Sequence, residues 1–187
     1  MKPDLIRYLQ QGRDVLLWKL DGLSDYDVRR PMVPTGTNLL GIVKHVATVE
    51  AGYFGGVFGR PFQEQFPWTM DDAGPNADMW ATADESRQFI IDLYRRVWEH
   101  SDATIAELDL DAPGEVSWWS DDRRHVTLHR ILVHMVVETH RHAGHADILR
   151  EMIDGVAGHN PSNDNLDEPE SWEEQRAMLE AAAREGR

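Results

Sequence analysis

VVETHRHAGHAD, residues 136–147, sets a glutamate and three histidines inside an otherwise apolar segment. Steps of four and three residues link Ile131, Met135, Glu138, His142, His145 and Leu149, the spacing of one helix face. Such a face turns toward a core. A carboxylate and two imidazoles buried there without partners cost more than ordinary hydrogen bonds return, so something has to neutralise them. A divalent cation does so directly. Glu138 and His142 stand four residues apart, which places their Cβ atoms about 5–6 Å from each other on one helical side, within reach of a single ion.

Spacing near 3.6 residues also dominates outside this stretch, with no alternating strand segment, so the chain reads as all-α. A first helix is expected from about Pro3 to Asp21, with the stripe Leu5, Leu9, Leu16 and Leu20 and a stop at Gly22. A second is expected from about Asn38 to Phe58, with Ile42, His45, Val49 and Gly52 on its inner side. The connection 59–83 is rich in Pro, Gly and Asp; its Phe62, Phe66, Trp68 and Trp80 are expected to pack over the helices. A third helix runs from about Asp84, its expected cap, to Leu108, with Ile90, Leu93, Val97, Thr104 and Leu108 inward. A second long loop, DAPGEVSWWSDDRRHV (111–126), precedes a fourth helix over about Thr127 to Ile153. The expectation is a four-helix bundle with long crossover connections over residues 1–157. Residues 158–187 read as an acidic linker and a short C-terminal helix, Trp172 to Arg184. Trp172 requires a groove or a partner subunit to cover it, which leaves room for a homodimer.

With 187 residues and 41% hydrophobic content, the chain suits one compact domain. A formal charge of −14 with only Lys2, Lys19 and Lys44 as lysines repels phosphate backbones, so nucleic acid is not expected as a partner. The pairs Arg29-Arg30 and Arg123-Arg124 read as solvated or ion-paired. No run of apolar residues is long enough to cross a membrane, and the first ten residues lack a secretory pattern; a cytoplasmic protein is expected. Cysteine is absent, which excludes disulfides, thiolate ligands and a cysteine nucleophile. Any thiol chemistry must use an outside thiol.

His45 is the one histidine in the apolar stripe of the second helix. Together with Glu138 and His142 it makes a two-histidine, one-carboxylate set from facing helices, with coordination positions left for water or substrate. Each member has a plainer reading: His45 as a hydrogen-bonded core histidine, Glu138 and His142 as an ordinary ion pair. Their joint fall on inward stripes of two helices favours the metal. His145, one turn beyond His142, reads as a pocket residue open to three roles: a fourth ligand, a proton acceptor, or a group that orients the ligands. His134 and His140 read as surface or supporting groups. His125 and His129 straddle the expected helix start, and His100 and His159 join no periodic pattern. Trp118 and Trp119 either line a pocket mouth or plug the bundle end. Gly144 either permits close packing or is an accidental small residue. No Gly-rich phosphate loop or nucleophile elbow points to another catalytic class.

LLGIVKHVATVE (39–50) together with ETHRHAGHADILRE (138–151) resembles the DinB/YfiT-like superfamily of metal-binding four-helix bundles. The likeness covers roughly residues 3–155 and is greatest to an actinobacterial branch of unknown function and to the mycothiol-dependent maleylpyruvate isomerase group. In many members three histidines hold the metal; here the equivalent positions are His45, Glu138 and His142, so a glutamate replaces one histidine, as in the isomerase group. The resemblance implies a divalent metal, zinc first, with nickel, manganese or iron as alternatives. It also implies chemistry with a low-molecular-weight, mycothiol-type thiol and a small electrophile: S-transfer or isomerisation. A metal-dependent hydrolase, or a non-catalytic metal-bound protein that stores a small ligand under stress, remains an alternative at this stage.

Overall fold

The computed structural model describes residues 1–164 and 166–186. The chain divides into two compact units, residues 1–157 and 158–187. The first contains α1 (Lys2–Trp18), α2 (Asp25–Arg29), α3 (Leu39–Phe54), α4 (Arg87–Glu107) and α5 (Leu128–Asp154). The second contains α6 (Trp172–Glu185), on which Trp172, Met178 and Leu179 are exposed. Four long helices of the first unit form the expected bundle: α1 packs on α5, and α3 packs on both α4 and α5.

Local chemistry sets the helix ends. Side chains of Asn38, Ser86 and Thr127 accept from the backbone N–H groups of Gly41, Phe89 and Arg130, capping α3, α4 and α5. The cap of α4 is therefore Ser86 and not Asp84. α3 stops at Phe54, earlier than its apolar spacing suggests, because Gly55 and Gly56 turn the chain into a 3-10 turn, Gly56–Phe58. Two short strands, β1 (Pro113–Glu115) and β2 (His125–Thr127), pair antiparallel within the second long loop. At three residues each they are too short to show alternation in the sequence, and His125 lies on β2, not on α5.

α3 is apolar nearly all round, and twelve of its sixteen residues are buried, so it is the central helix. Its least buried side carries His45, Thr48, Val49 and Gly52. That is largely the stripe expected to face inward: on a helix surrounded by neighbours, periodicity marks no single inner face. On α5 the seam also departs from expectation. Ile131, Met135, His142 and Leu149 are buried, but His145 is exposed, and Thr139 and Ala146 occupy the core instead. Nothing lies within 4 Å of a Cβ built on Gly144, so this glycine serves no close packing. Gly12 does: a Cβ there would meet Thr139 Cγ2 at 2.8 Å, where α1 crosses α5. Of the long-loop aromatics, Trp68 is buried with Phe62 and Phe66 packed beside it, whereas Trp80 is exposed.

Arg13 fills the gap between Leu9 and Leu16 in the α1 stripe and is buried. Its guanidinium donates to both carboxylate oxygens of Glu50 on α3, at 2.5 and 3.3 Å, and to Asp102 on α4 at 2.9 Å. Burial pushes the Glu50 carboxyl up, and Arg13 pulls against it. Through Glu50 and Asp102, Arg13 ties three helices, at the cost of desolvating its own charge and that of Glu50. Removing one partner strands the other. Arg13→Met is therefore expected to lower unfolding stability by about 3–5 kcal/mol, with much of the loss recovered by adding Glu50→Leu, as measured by urea denaturation.

Candidate metal centre

Packing of α3 on α5 brings His45 and His142 together with ring centroids 4.8 Å apart. Glu138 lies between them: its Oε1 is 3.1 Å from His142 Nε2 and 3.7 Å from His45 Nε2. One donor atom from each of the three residues lies within 4.8 Å of the other two. His142 is buried, while His45 and Glu138 are partly open, so the cluster is closed on the core side and accessible on the other.

Asp78, from the long connection between α3 and α4, receives a hydrogen bond from His45 Nδ1–H at 2.7 Å. No spacing in the sequence pointed to this carboxylate, because it reaches His45 from an irregular loop thirty-three residues away. The bond fixes the ring and turns the Nε2 lone pair toward Glu138. A lone pair then faces a carboxylate across 3.7 Å, an arrangement that needs a second proton or a cation between them. Burial pushes the His142 pKa down from its usual 6.5, the neighbouring His45 adds to this, and Glu138 pulls the other way. A neutral imidazole is the form that binds metal. Nδ1 of His142 is buried and has no hydrogen-bond partner among the described residues. The donor set thus fits a divalent ion in charge, in atom type and in its open side.

A cavity of about 600 Å³ adjoins the cluster, walled by Thr48, Gly52, Tyr53, Trp118, His134 and Glu138 among others. Trp118 is 57% exposed and stands edge-on to Tyr53 at 5.3 Å. Trp119 is the more buried of the pair; its indole N–H donates to the Tyr53 hydroxyl at 3.1 Å and it packs on the apolar core. The adjacent tryptophans therefore divide the two roles that spacing left open: Trp118 walls the cavity and Trp119 plugs the bundle. His134 is not a surface group. Its ring packs at 4.7 Å from Tyr53 and 5.3 Å from Trp119, and burial pushes its pKa down while Glu138 opposes this.

Among the described residues, the other histidines add no donor atom to the cluster. His145 is exposed, with its ring edge-on to His142 at 5.2 Å. His140 bonds to the Tyr8 carbonyl at 2.9 Å and His100 to the Arg60 carbonyl at 2.7 Å. His125 sits on β2 and His129 in the first turn of α5.

A bundle of four long helices is the architecture of the DinB/YfiT-like class, and the chain falls within that class. The chain belongs to the Mycothiol-S-transferase family, whose profile matches residues 4–155. No curated protein matches the chain. The matched span includes α2 to α5 whole, nearly all of α1, and the three donor residues.

The depressed pKa of His142 has a pH consequence. Above about 6.5 the imidazole is neutral in folded and unfolded chains alike; below it the unfolded chain binds the proton more readily, so stability falls as the pH falls. The melting temperature of metal-free protein is expected to decline below pH 6.5, and to decline less steeply in His142→Gln.

Proposed function

We propose that this protein is a divalent-metal-dependent transferase that uses a low-molecular-weight thiol of the mycothiol type to attack a small electrophile. One observation carries the reading: three metal-competent donors converge at the wall of a cavity in a chain that has no cysteine of its own. The family's name supports the thiol as the missing sulfur source. His45, Glu138 and His142 are the residues we assign to the metal. Zinc suits two imidazoles and one carboxylate with an open position, and nickel, manganese or iron accept the same set.

An ion held there supplies positive charge that lowers the pKa of a thiol and so favours its nucleophilic thiolate form. The chain's residues do the rest. Asp78 holds His45 in the tautomer that presents Nε2. Glu138 offsets one unit of the added charge. His134, kept neutral by burial and placed one turn before Glu138 at the cavity wall, is positioned to take the thiol proton. His145, open to water beside His142, is the second group we assign to proton acceptance or to orienting the set. Tyr53 and Trp118 offer flat faces to the electrophile or to the body of the thiol. Among the described residues no helix is long and apolar enough to cross a membrane. A chain without disulfides that works on a reduced thiol fits the cytoplasm, where we place it.

Protein purified without an affinity tag is expected to carry about one divalent ion per chain. His142→Ala is expected to lose it, together with the stabilisation that binding gives, about 2.7 kcal/mol at an ion concentration a hundredfold above Kd. Thiol added to the cobalt-loaded protein should change its visible spectrum and release heat. A loaded protein that shows neither change, yet hydrolyses esters or amides, would replace S-transfer with hydrolysis.

A further inference from the structure

Lys44 immediately precedes His45 on α3, and its ammonium group is buried. Its acceptors are the carbonyls of Ala77 at 3.0 Å and Trp80 at 2.9 Å and the two carboxylate oxygens of Glu85 at 2.8 and 2.9 Å. The ring of Trp68 lies 4.0 Å below the same nitrogen. Ala77 and Trp80 flank Asp78 in the chain: Ala77 opens the 3-10 turn Ala77–Met79 and Trp80 follows its last residue. The cation that holds this turn and the imidazole that the turn orients are therefore neighbours on one helix.

Gly41, one turn earlier on α3, completes the seat. A Cβ at this position would lie 1.8 Å from the carbonyl oxygen of Met79, so any other residue has to push the turn away from the helix. From the far side, Arg29 on α2 donates to the carbonyls of Thr82 at 3.0 Å and Glu85 at 2.7 Å, and Glu85 accepts from the Thr82 N–H at 2.7 Å. The segment 77–85 is thus held at both ends. A buried ammonium is expensive, and an apolar residue would fill the same volume of core without that cost. What the ammonium adds is direction: it draws two specific carbonyls, and with them Asp78, to one place.

We propose that Lys44 is a positioning residue, which sets the His45 imidazole through the Ala77–Trp80 turn and Asp78, and that Gly41 is the contact surface this turn requires. The consequence for metal affinity rests on the assignment of His45 as a ligand made above. The claim about the imidazole does not.

The experiment uses full-length protein in two states. In the metal-free state, nitrogen-15 NMR of the imidazoles reads the His45 Nδ1–H, expected to be slow to exchange in wild type and lost in Asp78→Ala. Lys44→Met and Gly41→Ala should lose it too. Gly41→Ala changes no charge, so it tests the same claim if Lys44→Met folds poorly. In the second state, zinc titration is expected to show affinity weakened about ten- to a hundredfold by each substitution, the range typical for groups that orient a metal-bound histidine. In an Asp78→Ala background, Lys44→Met should add nothing further. Lower melting temperature with an unchanged His45 N–H and unchanged zinc affinity would overturn the proposal and leave Lys44 as a structural cation. Fully additive losses in the double variant would overturn it as well. If wild-type protein binds no zinc, the metal assignment fails, and the metal-free NMR comparison still decides whether Lys44 and Gly41 position His45.

Discussion

Burial of α3 on nearly every side is the constraint from which the rest of the molecule follows. A central helix cannot leave a polar group to water, so each one it carries must meet a partner from a surrounding element. Glu50 meets Arg13 of α1, Lys44 meets the turn and Glu85 of the α3–α4 connection, and His45 meets Asp78 on one edge and the Glu138–His142 pair of α5 on the other. These three partnerships lie within two turns of one helix. They hold α1, the long connection and α5 in fixed relation to it, and the donor cluster is one result of that arrangement.

The electrostatics of the cluster follow from how unevenly it is covered. The core side is apolar and buries His142, which favours the neutral imidazole. The opposite side opens toward the cavity with Tyr53, Trp118 and His134. A closed set of donors would serve structure alone, whereas an open one leaves space for an exogenous group.

Much of this was legible in the residues themselves. The four bundle helices, the two long connections and the shared face of Glu138 and His142 followed from spacing, because i, i+3 and i, i+4 neighbours must share a helix face whatever surrounds them; α2, at five residues, is too short to show such a period. The same reasoning misplaced His145, since a long helix drifts relative to its neighbours and a stripe extended over many turns leaves the core. It also skipped Arg13, although a charged residue in an otherwise apolar stripe marks a buried pair. β1 and β2 escaped notice because three residues cannot display a period. Trp118 and Trp119 are adjacent and chemically identical, and only the packing of Tyr53 and His134 assigns one to the cavity and the other to the core.

By itself, the order of residues determined the four long helices, where polar groups fall within them, and that Glu138 and His142 share one helix face. Those are local properties, set by backbone periodicity and side-chain chemistry. Tertiary structure alone decided that Asp78 would orient His45, that Lys44 and Gly41 would seat the turn carrying it, and that His134 would belong to the cavity. Each of these depends on an irregular connection or a helix rotation, whose position is set by the sum of many packing contacts and by no repeating pattern along the chain.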